Sequence, residues 1–321
     1  MNYLINRIFK INASTWLDVA QEVFEFQKRN NSVFSNWCNQ FKIPEAEFTF
    51  LPINFFKTHK ICSTDFNGQE IFESSGTTTS INSKHFIKDV ELYKKSFTTN
   101  FIKQYGNIED YCIIGLLPSY LERGKSSLVY MVNELVKQSK HEKSGFYLYE
   151  YEKLNETLLS LEQTNQKTVL IGVTYALLDF AEQYKTPLKN TIVIETGGMK
   201  GRKEELTKQE VHHILKLNFG LTEIHSEYGM TELLSQAYSS KDDKYFCPPW
   251  MKVFVRKEDD PLEIKTVGKG IINIIDLANL YSCSFIATDD VGEVFEDGSF
   301  SIYGRLDNSD LRGCSLMLQN L

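Results

Sequence analysis

Apolar positions recur at helical spacing over residues 14–40 (Trp16, Val19, Ala20, Val23, Phe24, Phe26), with Ser14 as a candidate N-cap and Asn30-Asn31 interrupting the pattern. This predicts a helical N-terminal region. After Pro44 and Pro52, the segment Ile53 to Ile61 leads to a strand at 70–72, and Lys84 to Phe101 reads as a helix whose apolar face holds Phe86, Val90, Tyr93, Phe97 and Phe101. Three continuous apolar runs follow, at 111–117, 168–173 and 191–195, interspersed with helical patterns at 126–138, 152–162, 175–184 and 203–217. Runs of this kind form strands buried on both faces of a parallel sheet. The alternation predicts an α/β fold: a mainly parallel, helix-covered sheet with ligand loops at the carboxyl ends of its strands.

Near residue 241 the character changes. Lys241-Asp-Asp-Lys244 and Cys247-Pro-Pro-Trp250 read as a break, and the segments after it are short and β-like, at 251–256, 271–275, 284–287, 292–295 and 299–303. Four regions are expected: a helical N-terminal region over 1–70, an α/β core over 71–240, a smaller β-rich subdomain over 241–303, and a tail over 304–321.

Composition narrows the possible functions. With 321 residues and 42% hydrophobic content, the chain can bury a large core. Its formal charge of −7 is spread along the sequence, which excludes the basic footprint of a nucleic-acid binder. No apolar run of about 18 residues is present, so neither a membrane span nor a secretory signal is expected. The six cysteines (Cys38, Cys62, Cys112, Cys247, Cys283, Cys314) include no Cys-x-x-Cys pair. That scatter argues against a zinc site or a disulfide framework and fits a reducing cytoplasm.

Candidate chemistry begins at Glu73 to Ser80, Glu-Ser-Ser-Gly-Thr-Thr-Thr-Ser, placed directly after the strand at Ile71-Phe72. Such a turn offers hydroxyl and backbone N–H groups to phosphate oxygens, although Ser/Thr/Gly clusters also form ordinary solvated turns. Gly124-Lys125-Ser126 mimics the end of a Walker loop, but Ser119 stands where that loop requires its first glycine, so it reads as a polar loop capping a helix near Ser126. Ser226-Glu-Tyr-Gly-Met-Thr-Glu232 brings together an aromatic face, a glycine, a hydroxyl and a carboxylate. That set can stack a base, approach it closely, bind phosphate and hold a hard cation.

Ser74-Ser-Gly-Thr-Thr78 followed by Tyr228-Gly-Met-Thr-Glu232 resembles the adenylate-forming superfamily of acyl-CoA synthetases, adenylation domains and firefly-type luciferases. Thr288-Asp-Asp-Val-Gly292 resembles that family's Thr-Gly-Asp-Leu-Gly, Gly304-Arg-Leu-Asp307 its Gly-Arg-x-Asp hinge, and Thr196-Gly-Gly198 its Gly-Gly turn against adenine. Within the superfamily, Leu117-Pro-Ser-Tyr-Leu-Glu-Arg123 with Ser126-Ser-Leu-Val129 is similar to the LuxE-type acyl-protein synthetases of bacterial luminescence. The short tail, with Arg312-Gly-Cys-Ser315 near its end, resembles that family too. Three departures stand out: Thr79 replaces the usual second glycine, Asp289 replaces the glycine of Thr-Gly-Asp, and the lysine of the superfamily's mobile C-terminal domain has no counterpart. Lys200 and Arg202 could offset part of the missing charge.

The resemblance implies an adenylate-forming N-terminal-domain-like fold with a truncated mobile domain. It implies ATP and Mg²⁺ as cofactors, a carboxylic acid, in this family a long-chain fatty acid, as substrate, and a LuxC-like acyl reductase as partner. Carried over residue by residue, Ser74, Ser75, Gly76, Thr77, Thr78, Thr79 and Thr231 would hold phosphates and Glu232 the metal. Gly197, Gly198 and Tyr228 would face the adenine, Gly229 and Met230 would belong to the same nucleotide site, Asp290 and Arg305 would face the ribose, and Cys314 would accept the acyl group. Two other readings compete: a ligase that loads CoA or a carrier protein, with Cys314 structural, and a non-catalytic nucleotide-binding subunit.

Overall fold

A computed structural model describes residues 2–41, 47–74, 81–118, 124–197 and 206–306. The chain divides into two compact units, one made of Met1–Phe66 with Phe246–Leu321 and the other of Asn67–Tyr245.

The first unit begins with helices Asn2–Phe9, Trp16–Asn30 and Ser32–Cys38. Asn31 explains the interruption read in the sequence: its extended backbone ends one helix, and its side chain accepts a hydrogen bond from Phe34 N to cap the next. A two-residue strand β1 (Leu51–Pro52) follows. The N-terminal helices and the late strands, separated in the sequence reading, belong to one unit. Gln27, fully buried, shows why. Its amide nitrogen donates to Asn279 O and Leu280 O, and its Oε1 accepts from Ser284 N at 2.9 Å. Phe285 packs against Phe24 (5.1 Å between ring centroids) and Phe34 (5.9 Å) in the same core.

The second unit opens with an antiparallel hairpin, β2 (Glu70–Glu73) and β3 (Lys84–Ile87). Here the expected helix over 84–101 is corrected. Residues 84–87 alternate between exposed and buried, a two-residue period, and pair with β2. The helix starts only at Val90, where the Asp89 carboxylate accepts from Glu91 N at 3.0 Å. Next come β4 (Cys112–Leu116), β5 (Gly145–Phe146), β6 (Thr168–Val173), β7 (Thr191–Thr196), β8 (His225–Tyr228) and β9 (Ala237–Ser239). They form one sheet in the order β5-β4-β6-β7-β8-β9, parallel except for the last pair. Every residue of β4 and β6 is buried, as helices on both faces of a parallel sheet require. The crossovers carry helices Ser127–Ser139, Tyr151–Gln163, Thr174–Gln183 and Lys208–Phe219. A reciprocal capping box between Thr207 and Glu210 starts the last of these.

The chain then returns to the first unit with β10 (Met251–Arg256), β11 (Ile264–Lys265), β12 (Gly268–Asp276), β13 (Phe285–Val294) and β14 (Phe300–Arg305). These strands are antiparallel to one another, and β1 joins β13 in parallel. The segments expected separately at 284–287 and 292–295 are one strand, β13. The polar stretch Thr288-Asp289-Asp290 between them falls at an irregularity in the pairing with β12, between the partners Ala287–Asn273 and Val291–Ile271, while Asp290 pairs with Arg305 of β14. Among the described residues, no helix is long and apolar enough to cross a membrane.

Candidate active site

The hydroxyl-rich loop connects β2 to β3, and its ends are fastened together. Ser74 N donates to Ser83 O at 3.0 Å, and Ser83 N donates to Ser74 Oγ at 2.9 Å. Ser74 is the one loop residue of the sequence-derived set that is described; Ser75, Gly76, Thr77, Thr78 and Thr79 lie outside the described residues. Lys125 of the Walker look-alike pairs with Glu73 at 3.0 Å, and Ser126 Oγ accepts from Val129 N to cap the following helix. Both are tied into the scaffold.

Two residues into β3, His85 is 1% exposed, and its Nδ1 donates to the carbonyl oxygen of Thr231 at 2.8 Å. A carbonyl can only accept, so Nδ1 carries the proton. The stem of the hydroxyl loop thereby meets the turn Tyr228 to Glu232, 146 residues away in the chain. The turn leaves β8 at Tyr228, whose ring lies 5.7 Å from that of Tyr245. The Lys208 ammonium sits 4.2 Å above the Tyr245 ring and 3.1 Å from its hydroxyl. Within the turn, Leu233 N donates to Met230 O at 3.1 Å, and the Glu232 side chain is buried.

Beside this turn ends β7. Thr196 and Glu227 are register partners on β7 and β8, and the Thr196 hydroxyl donates to Glu227 Oε2. Gly197 follows with φ +68°, a left-handed conformation that glycine adopts without strain. Its carbonyl accepts from the Thr174 hydroxyl at 2.6 Å; Gly198 lies outside the described residues, as do Lys200 and Arg202.

Two buried carboxylates flank the strand ends, and their environments differ. Burial pushes the Glu195 carboxyl up, but a hydrogen bond from His212, the Lys208 charge and a hydrogen bond from Ser226 outweigh it and hold the group below its ordinary value. Glu227 has no such cation. Burial raises its carboxyl to about 7, with the Thr196 hydroxyl opposing the rise and the Glu195 charge adding to it. The sequence reading assigned neither acid a role. The signal available was an acid closing an apolar strand, Ile192-Val193-Ile194-Glu195, and another immediately before Tyr228.

In the other unit, strand pairing joins the two remaining motifs. Asp290 and Arg305 are register partners on β13 and β14, with Arg305 Nε donating to Asp290 Oδ1 at 2.9 Å. The guanidinium is largely exposed and the carboxylate buried. The unusual Asp289 accepts from Asn54 Nδ2 at 3.2 Å and acts on the half-buried Arg256, so its charge has local partners.

Cys314 lies outside the described residues. The five described cysteines are free thiols, and burial raises each of them: Cys62 and Cys112 to about 11, and Cys38, Cys247 and Cys283 also upward. Thiols so placed are poor nucleophiles at neutral pH. Among the described residues, no group of three or more His, Cys, Asp or Glu could hold a metal ion by itself. A single turn carboxylate such as Glu232 fits a cation whose other ligands are phosphate oxygens and water.

The family described as acyl-protein synthetase, LuxE, matches residues 18–321. The long-chain-fatty-acid–luciferin-component ligase of Aliivibrio fischeri is 22% identical over 335 residues, covering 94% of this chain and 87% of that protein. Among solved structures, ATP-bound MatB from Rhodopseudomonas palustris superposes with a TM-score of 0.56 at 16% identity, over 76% of this chain and 48% of that one. MenE from Bacillus subtilis, in complex with ATP and magnesium ion, gives 0.51 at 14%, over 84% and 54%. The chain thus spans about half the length of these solved structures, and the fold is that of the N-terminal part of adenylate-forming enzymes.

Proposed function

Because the chain belongs to the LuxE family of acyl-protein synthetases, we propose that this acid ligase uses ATP to activate a long-chain fatty acid as its acyl-adenylate and then transfers the acyl group to its own Cys314. The observation that carries the first step is the hydrogen bond from His85 to Thr231, which brings the stem of the hydroxyl loop to the Tyr228–Glu232 turn. A loop of phosphate-binding hydroxyls beside an aromatic, a threonine and a buried acid is the chemistry a nucleoside triphosphate needs. The luciferin-component ligase supports the choice of acid, and the ATP bound in the MatB structure supports the choice of nucleotide.

In this reading the acid's carboxylate attacks the α-phosphorus. The bond to the β-phosphate oxygen breaks, and pyrophosphate leaves with the electron pair. Ser74 to Thr79 and the Thr231 hydroxyl orient the phosphate oxygens, while Tyr228 and the Gly197-Gly198 turn face the adenine. Asp290 and Arg305, a hydrogen-bonded pair in their own unit, carry the chemistry suited to ribose hydroxyls. Glu232 would hold Mg²⁺, which when bound neutralises charge on the leaving phosphates. Most of the acceleration would come from positioning and charge complementarity.

The Cys314 thiolate would next attack the mixed anhydride, forming a thioester and expelling AMP. The raised thiols of the five described cysteines support assigning this role elsewhere in the chain, and Arg312 would favour the thiolate. A partner with an acceptor thiol, most simply a LuxC-like acyl reductase, would receive the acyl group. The test is acid-dependent exchange of labelled pyrophosphate into ATP. Exchange that requires a fatty acid is expected; no exchange with any acid from acetate to palmitate rejects the adenylation.

A further inference from the structure

Glu227 holds no role in the proposed reaction, yet it lies where two of the motifs that carry it meet. It closes β8 one residue before Tyr228, and Thr196 closes β7 one residue before Gly197. The pair are register partners joined through their side chains. Glu227 Oε1 lies directly beneath Gly229, so closely that a Cβ at that position would overlap it. One carboxyl therefore touches both the strand that launches the Gly197 turn and the turn that follows Tyr228.

We propose that Glu227 is a positioning residue of the nucleotide site, its carboxyl setting the interval between Gly197 and the Tyr228-Gly229 turn and so the fit of the adenine between them. This rests on the reading of those turns as the nucleotide site. The physical argument is one of cost. A side chain that only filled space at this position would be apolar, because burying a carboxyl is unfavourable unless its hydrogen bonds are needed. Glu227 is 8% exposed, and its ionisation is felt by the hydroxyls of Tyr93 and Tyr105 from the helix Val90–Tyr105 and of Tyr238 from β9. Glu195 on β7 is the charged neighbour that opposes its ionisation, and no cation is among the groups acting on it. Neutral, the carboxyl fits the site. Ionised, it carries a buried charge against that of Glu195, and the two turns lose their spacing.

The test compares Glu227→Gln, Glu227→Ala and Thr196→Val with wild type by pyrophosphate exchange across pH. Removing the bonded pair should raise KM for ATP about tenfold, the scale of one buried hydrogen bond. The value of kcat should stay within about twofold, since uniform binding is what is lost. Glu227→Gln keeps an acceptor for Thr196 and should bind ATP as wild type does at low pH. Between about pH 6 and 8, KM of wild type should rise relative to that of the Gln variant, following the ionisation of a carboxyl near neutrality. The proposal is overturned if Glu227→Gln and wild type share one pH profile, or if the Ala and Val variants lose kcat with KM unchanged. Should Glu227→Ala not fold, the comparison of Gln with wild type still decides. A wild-type protein that neither exchanges pyrophosphate nor binds ATP would instead refute the adenylation reading itself.

Discussion

His85 Nδ1 and the carbonyl oxygen of Thr231 stand 2.8 Å apart, and through them the strand that leaves the hydroxyl loop holds the backbone of the Tyr228–Glu232 turn. Replacing His85 with alanine leaves the half-buried Thr231 carbonyl without this partner. The expected loss is about 1–3 kcal/mol of unfolding free energy, the usual penalty for an unsatisfied buried group. Denaturant titration measures it, and pyrophosphate exchange should fall with it because Thr231 loses its orientation. Full retention of both would show that the bond is incidental.

Gly229 is needed for space. In Gly229→Ala the new methyl meets the Glu227 carboxylate and then Gln236, so a destabilisation of about 1–3 kcal/mol is expected from overpacking. In a double-mutant cycle with Glu227→Ala the two losses should be smaller together than their sum, since the clash disappears. Additive losses would contradict the contact.

Glu227 also governs stability against pH. Its folded-state value of about 7 exceeds its ordinary 4.5, so the folded protein holds a proton that the unfolded chain has released. The stability this confers is full below the unfolded value and is lost as pH rises through the folded one. Between about pH 5 and 8, wild type should therefore lose stability relative to Glu227→Gln, by an amount on the order of a few kcal/mol. Glu195, held below its ordinary value, acts in the opposite sense: its contribution is present at neutral pH and lost in acid. Chemical denaturation of both proteins across this range measures the difference.

Gln27 ties the N-terminal helices to the turn before β13 through its amide nitrogen, which donates to Asn279 O, Leu280 O and Ser284 Oγ, and its Oε1, which accepts from Ser284 N, all buried. Gln27→Ala leaves those backbone groups without their partner, at a cost of about 2–4 kcal/mol. A calorimetric transition displaced downward would register it.

Cys314→Ala should retain acid-dependent pyrophosphate exchange while losing the hydroxylamine-sensitive label that wild type carries after denaturation with labelled fatty acid and ATP. Label that persists in the variant would move the acyl acceptor elsewhere. Label found only on added CoA or carrier protein would make the enzyme a ligase for those acceptors.

The strands of the parallel sheet were legible because burial on both faces leaves continuous apolar runs: 168–173 matches the observed β6 residue for residue. Lys84 to Ile87 misled because Phe86 also fits a helical face; only pairing with β2 reveals the two-residue period. The motifs themselves are visible as residue types. The acids Glu195 and Glu227 gave no comparable signal, because their chemistry comes from Thr196, Thr174 and His212, which stand on other elements.

By itself, then, the sequence determined which segments are apolar enough to form strands and which turns carry hydroxyls, an aromatic and an acid, since these follow from side-chain chemistry and local periodicity. The tertiary structure alone decided that His85 meets Thr231, that Thr196 meets Glu227, and that Gln27 binds residues near 280. Such contacts depend on strand order and register. No local pattern encodes them, because their energy comes from burying polar groups against partners far away in the chain.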